Sequence, residues 1–150
     1  MALEEDIAVL RRVPFFEGFS EEALKLLAFS GENRRFSDGA RIFAEGETSE
    51  GGLVVLSGAL VFTEGDGAAQ HFGPATLLGA RALFTRTSRP GTAMASGQTE
   101  TILIRRSLFL RMLAEYPELA STLQDRLSEE LAALSAQMAP VGERLRGSEG

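Results

Sequence analysis

The chain has 150 residues, 44% of them hydrophobic, and carries a formal net charge of −6 with a pI near 4.9. That is the size of one domain with a real core, and its acidic balance argues against a nucleic-acid surface, which needs clustered positive charge. The absence of cysteine excludes disulfides, thiolate metal sites and cysteine-held iron–sulfur clusters, and the single histidine, His71, excludes a multi-histidine metal site.

Residues 3–30 read as helices. Leu3, Ile7 and Leu10 recur at helical spacing until "RRVPFF" breaks the pattern at Pro14. "FSEEALKLLAF" restarts it, with Ser20 as N-cap, acidic residues in the first turn, and Leu24, Leu27 and Ala28 on one face. The opening "MALEEDIAVLRRV" lacks a secretory signal's basic start and apolar block. No apolar run approaches the roughly 18 residues of a membrane span. A cytoplasmic location is expected.

Residues 31–106 change character. Twelve of the 16 glycines lie between 31 and 97 and separate short apolar runs such as "RIFA", "GLVVLSG", "ALVFT", "TAMA" and "TETILIRR". Short strands with glycine turns predict a mainly β fold, a barrel or sandwich. "TEGDGAAQ" reads as a hairpin turn. Asp38, Glu45, Glu47 and Glu50 flank turns and read as solvated carboxylates, and His71 as a surface residue.

Residues 107–139 read as helical again. Ser107 is positioned to cap "LFLRMLAEY", and Pro117 opens a further helix as a first-turn proline. That long helix carries Leu119, Leu123, Leu127, Leu131, Leu134 and Met138. The stripe either packs on the β body or pairs with a second copy or a partner protein. Residues 140–150 form a polar tail. One domain is expected over 1–139.

Several stretches resemble the cyclic-nucleotide-binding domain family. "LRRVPFFEGFSEEALKLLA" is similar to the family's helical entry, "FSDGARIFAEGETSEGGLVVLSGALVF" to its first strands, and "FGPATLLGARALF" to the lead into its phosphate-binding cassette. The resemblance covers residues 10–139 and is closest to the sensor domain of catabolite-activator-type regulators. It implies a β-roll or jelly-roll barrel with N-terminal helices and a long C-terminal helix, and a cyclic nucleotide (cAMP or cGMP) as ligand.

On that resemblance the ligand-binding segment comprises Gly79, Ala80, Arg81, Ala82, Arg89, Pro90, Gly91 and Thr92. Gly79 lets backbone approach a ligand closely, and a short helical turn from Ala80 points free N–H groups at an anion. Arg89 stands where the family keeps an arginine for the cyclic phosphate, a role that suits a planar guanidinium fork. Outside that context Arg89 reads as a solvated arginine in a polar turn. The segment departs from the family twice. Ala80 replaces a glutamate that accepts the ribose hydroxyl, and Pro90 has no N–H to offer the phosphate. Losing both bonds weakens binding by roughly one to three decades. Arg81 and Arg86 compensate in part, select a different anion, or face solvent, the last being the reading favoured for Arg86. Candidates for lining the pocket or covering the base are Phe72, Leu78, Leu131, Leu134 and Ser135, and Met94 is a further one. Core packing is the simpler reading for Phe72, Met94 and the leucines.

No catalytic constellation, Walker loop or metal site is found, so neither an enzyme nor a resident cofactor is expected. The expected function is a regulatory sensor that binds a cyclic nucleotide or other phosphate-bearing ligand and signals through the C-terminal helix. The alternative is a non-liganded interaction module that dimerises or docks a partner through that helix. Either a stand-alone module or an excised sensor domain fits, with no winged helix following.

Overall fold

The computed structural model describes residues 2–126, 128 and 129. The chain divides between Tyr116 and Pro117 into two compact units.

The first unit begins with helix α1 (Ala2–Arg12), which has Glu4 and Glu5 in its first turn and Arg11 and Arg12 in its last. Each charge pair complements the helix dipole. Ile7 and Leu10 are its buried face. Pro14 then starts a single 3₁₀ turn, Pro14–Phe16. Helix α2 (Glu21–Ser30) starts at Ser20, whose hydroxyl accepts the Ala23 amide at 3.2 Å. It buries Ala23, Leu24, Leu27 and Ala28.

Six strands follow: β1 (Glu32–Phe36), β2 (Arg41–Phe43), β3 (Gly51–Thr63), β4 (Gln70–Phe72), β5 (Leu77–Leu78) and β6 (Thr92–Arg105). All pairings are antiparallel. The order is β1-β6-β3-β4, with β2 also on β6 and β5 also on β3. The sheet curls into a jelly-roll-type fold and does not close into a barrel.

The strands are longer than the glycine punctuation suggests. "GLVVLSG" and "ALVFT" fuse into the 13-residue β3, and "TAMA" and "TETILIRR" into the 14-residue β6. Gly58 and Gly97 do not end strands. Gly58 has a φ of +79° and sits where the β3–β6 register shifts, between Val55 and Ala59. Such a bulge inserts an extra residue and resets which side chains face inward. Leu53 and Val55 point into the roll before it, Leu60 and Phe62 after it. Without the shift, an odd spacing of inward residues would be impossible on one face.

The interior cluster comprises Phe43, Leu53, Val55, Leu60, Phe62, Ala93 and Leu103, with Ile42, Phe72 and Leu78 packed against it. Val54, Ile102 and Ile104, which alternate with inward residues, are fully buried on the opposite face. Met94, by contrast, stands exposed on β6, because its neighbours Ala93 and Ala95 take the inward positions on the alternating strand.

Helix α3 (Arg106–Glu115) follows β6 without a loop and buries Leu108, Phe109 and Met112. Ser107 does not cap it. Arg105 is the N-cap, with no side-chain cap, and the Arg106 amide bonds the Glu50 carbonyl instead. In the second unit, residues 117–126 are helical and begin at Pro117. Leu127, Leu131, Leu134, Ser135, Met138 and the tail 140–150 lie outside the described residues.

Candidate functional site

Gly79 follows β5 with a φ of +84°, a conformation that L side chains rarely adopt. The backbone then enters the 3₁₀ turn Arg81–Leu83, closed by Ala82 N to Gly79 O and Leu83 N to Ala80 O. The amides of Ala80 and Arg81 precede these bonds and have no intrahelical acceptor. Buried Ala82 and Leu83 anchor the turn, and Phe84 meets the Phe109 ring edge-on at 5.4 Å. Arg106 braces it from α3: its Nε donates to Ala82 O at 3.0 Å and its Nη2 to Ser49 O at 2.8 Å.

At the far end of the segment the Arg89 backbone is pinned on both sides. Its N–H donates to Glu47 O at 2.7 Å and its carbonyl accepts from Gly46 N at 2.9 Å. Thr92 holds the same loop, its hydroxyl accepting the Glu45 amide at 3.0 Å. Gly91 allows a close crossing, since a Cβ there would stand 2.5 Å from Thr63 O and 2.7 Å from the Phe62 ring.

The Arg89 side chain turns inward and is only 8% exposed. Its Nη2 donates to Gly51 O at 3.1 Å, and its guanidinium carbon lies 4.5 Å from the centre of the Phe43 ring, a cation–π distance. Nη1 fills the space above Gly79, where a Cβ would come within 2.7 Å. Among the described residues, no carboxylate lies within 4.0 Å of it. Burial pushes the guanidinium below its usual range, and the charges of Glu47 and Glu50 pull it part of the way back. A buried cation without a counter-ion is costly to a fold.

Arg89 borders a cavity of about 270 Å³. Phe36, Ile42, Phe43, Leu53 and Leu103 form its apolar wall, and the exposed Glu47, Thr48, Glu50 and Arg34 complete it. Of the segment 79–92, Arg89 is the residue that lines this cavity. Arg81 and Arg86 are exposed, as is Pro90, and Gly91 is buried in the crossing with β3. Phe72 and Leu78 are half-buried against the interior cluster. Leu131, Leu134 and Ser135 lie outside the described residues.

The residues before 51 therefore matter more than the sequence suggests. Glu47, Thr48 and Glu50 come to the cavity because the loop 44–50 is laced to 87–89, through Thr48 paired with Ser88 and the Ser49 amide on Thr87 O. Asp38 and Glu45 are likewise more than solvated charges: Asp38 accepts the Gly97 amide at 2.8 Å and Glu45 the Gly65 amide at 2.9 Å. Glu50 pairs with Arg105 at 3.3 Å. No local pattern announces these contacts, since each joins loops distant in sequence.

Compared with known proteins, residues 33–116 match the sequence profile of the cyclic nucleotide-binding domain. The chain belongs to that family. A cyclic nucleotide-binding-like protein from Brucella abortus is 37% identical, with a TM-score of 0.64, over 73% of this chain and 98% of that one. The N-terminal domain of a transcriptional regulator from Streptomyces coelicolor A3(2) is 26% identical, with a TM-score of 0.76, over 87% of this chain and 94% of that one. Lysophospholipase NTE1 from Chaetomium globosum is 30% identical over 111 residues, which are 71% of this chain and 7% of that protein. This chain thus spans a small fraction of that enzyme's length. Among the described residues, no helix is long and apolar enough to cross a membrane, and no group of three His, Cys, Asp or Glu could hold a metal ion.

Proposed function

We propose that this domain is a regulatory sensor that binds a cyclic nucleotide, or another ligand carrying a phosphate anion, beside Arg89. The supporting observation is the state of Arg89: a buried guanidinium with no carboxylate within 4.0 Å among the described residues, at the wall of a cavity. A fold keeps such a charge at a cost, and an entering phosphate supplies the missing counter-ion through a two-pronged contact. Gly79, Ala80, Arg81 and Ala82 form the facing turn, Gly46 and Glu47 hold the arginine's backbone in place, and Phe36, Ile42, Phe43, Leu53 and Leu103 border the ligand's apolar part. Occupation pulls Arg89 off Gly51 O. The change reaches α3 through Arg106, which binds both the turn at Ala82 and the loop at Ser49. The output is a repositioned C-terminal helix, which carries the signal to a partner or a second copy.

A second reading rests on the bond Arg89 already makes to Gly51 O and on the Phe62 ring seated over Gly91. In it the interior is filled and the domain is an interaction scaffold.

Calorimetry with cyclic AMP and cyclic GMP separates the two. The sensor reading expects saturable binding that disappears in Arg89→Ala. Absence of heat up to about 1 mM, where binding is worth only about 4 kcal/mol, refutes it, as does an Arg89→Ala variant of unchanged affinity.

A further inference from the structure

We propose a second anion site in this domain, at the junction of β6 and α3, which takes a dianionic phosphate, either the free ion or a monoester. It stands independently of the reading of Arg89.

A concave space of about 360 Å³ lies there, and Arg86, Arg105, Arg106 and Ser107 line it together with the loop 48–50. Arg89 does not line it. In a chain of net charge −6, three arginines gather here against one glutamate, Glu50. They come from separate segments: Arg86 from the loop before β6, Arg105 from the end of β6, and Arg106 from the first turn of α3. Like charges converging on one concavity repel each other, and an anion bound among them removes that repulsion.

Arg106 is held in place without being neutralised. Its Nε and Nη2 donate to the carbonyls of Ala82 and Ser49 at 3.0 and 2.8 Å. The guanidinium is therefore fixed and half-buried, yet among the described residues no carboxylate lies within 4.0 Å of it. A carbonyl satisfies an N–H group but carries no net charge, and a cation already fixed loses little freedom when a ligand arrives. The loop that carries Arg86 is anchored as well, by the Thr48–Ser88 bridge and by the Ser49 amide on Thr87 O at 2.8 Å. Helix α3 adds to the same field. It spans ten residues and begins without a side-chain cap. Glu50 O takes the Arg106 amide at 2.9 Å, but the Ser107 amide lies in the first turn, where no intrahelical acceptor exists. The excess of two positive charges in the lining matches a phosphate past its second ionisation better than the monoanionic cyclic diester proposed for the cavity at Arg89.

The test titrates inorganic phosphate and glycerol phosphate, at about pH 8 and constant ionic strength, into wild type, Arg86→Gln, Ser107→Asp and Arg89→Ala, with a thermal melt of each. Wild type is expected to bind at least one of them saturably, and the tighter of the two shows whether the free ion or a monoester is the ligand. Arg86→Gln removes one charged contact and weakens binding about tenfold or more. Ser107→Asp puts a negative charge into the site and abolishes binding, while its melting point holds or rises because an acidic side chain suits a helix start. Arg89→Ala keeps the affinity of wild type. No saturable binding of either compound up to about 10 mM overturns the inference. So does binding that survives Ser107→Asp or Arg86→Gln unchanged. Binding that is lost in folded Arg89→Ala also overturns it, since the anion then sits in the first cavity and the sensor reading is left standing.

Discussion

Replacing Gly79 by alanine tests the link between backbone geometry and the buried arginine. Two costs arise. The first is conformational: at a φ of +84° an L side chain costs about 1–2 kcal/mol. The second is local. The new Cβ would stand 2.7 Å from Arg89 Nη1, whereas Ala82 Cβ and Gly51 O lie at an ordinary 3.5 Å. The arginine is the flexible partner, so it moves and loses its bond to Gly51 O. A hydrogen bond from a charged donor is worth about 1.5–3 kcal/mol. Together these predict a loss of roughly 2.5–5 kcal/mol, or about 8–15 °C in Tm for a domain of this size. Gly97→Ala is the internal control. Its φ is +75°, but nothing lies within 4 Å of its Cβ site, so it bears the conformational cost alone. Calorimetric melts of both variants isolate the displacement of Arg89 as their difference, and ligand titration shows whether affinity falls with it. Equal melting points for the two variants, with ligand binding intact in Gly79→Ala, would refute the reasoning.

Arg89→Met forfeits the bond to Gly51 O, about 1.5–3 kcal/mol, but also removes a buried charge that has no counter-ion among the described residues, so the fold should lose less than that bond alone is worth. The same variant should lose anion binding, and thermal melts beside titrations check both halves. Ala75 has a φ of +66°, so Ala75→Gly should raise stability by about 1 kcal/mol in denaturant unfolding. Ser20→Ala removes the hydroxyl that accepts the Ala23 amide and should cost about 1 kcal/mol by the same assay, with no effect on the cavity.

What could be read without the structure was local. Ser20 as a cap, Pro14 as the break after the first helix, Pro117 as a helix start, the turn "TEGDGAAQ" and the short helical turn after Gly79 each depend on a few neighbouring residues. The family resemblance likewise rested on contiguous motifs, and the match over residues 33–116 agrees with it. Ser107 misled because a capping residue type does not help when the preceding strand runs straight into the helix. Gly58 and Gly97 misled because a glycine with positive φ serves a turn or a bulge equally well, and the register of the opposite strand decides which.

The site divides in the same way. That Arg89 follows Gly79 by ten residues and precedes a proline is written in the chain. That it is buried, stacked on Phe43 and bonded to Gly51 O depends on where β2 and β3 pass. That Glu47 stands beside it depends on the loop 44–50 being laced to residues 87–89. By itself, then, the sequence determined the helices, the local turns and the family, because those follow from short-range periodicity, backbone preference and contiguous motifs. The tertiary structure alone decided which charges share a cavity and which are satisfied elsewhere, because electrostatic partners are set by distance in space and each of these contacts joins segments about 40 residues apart.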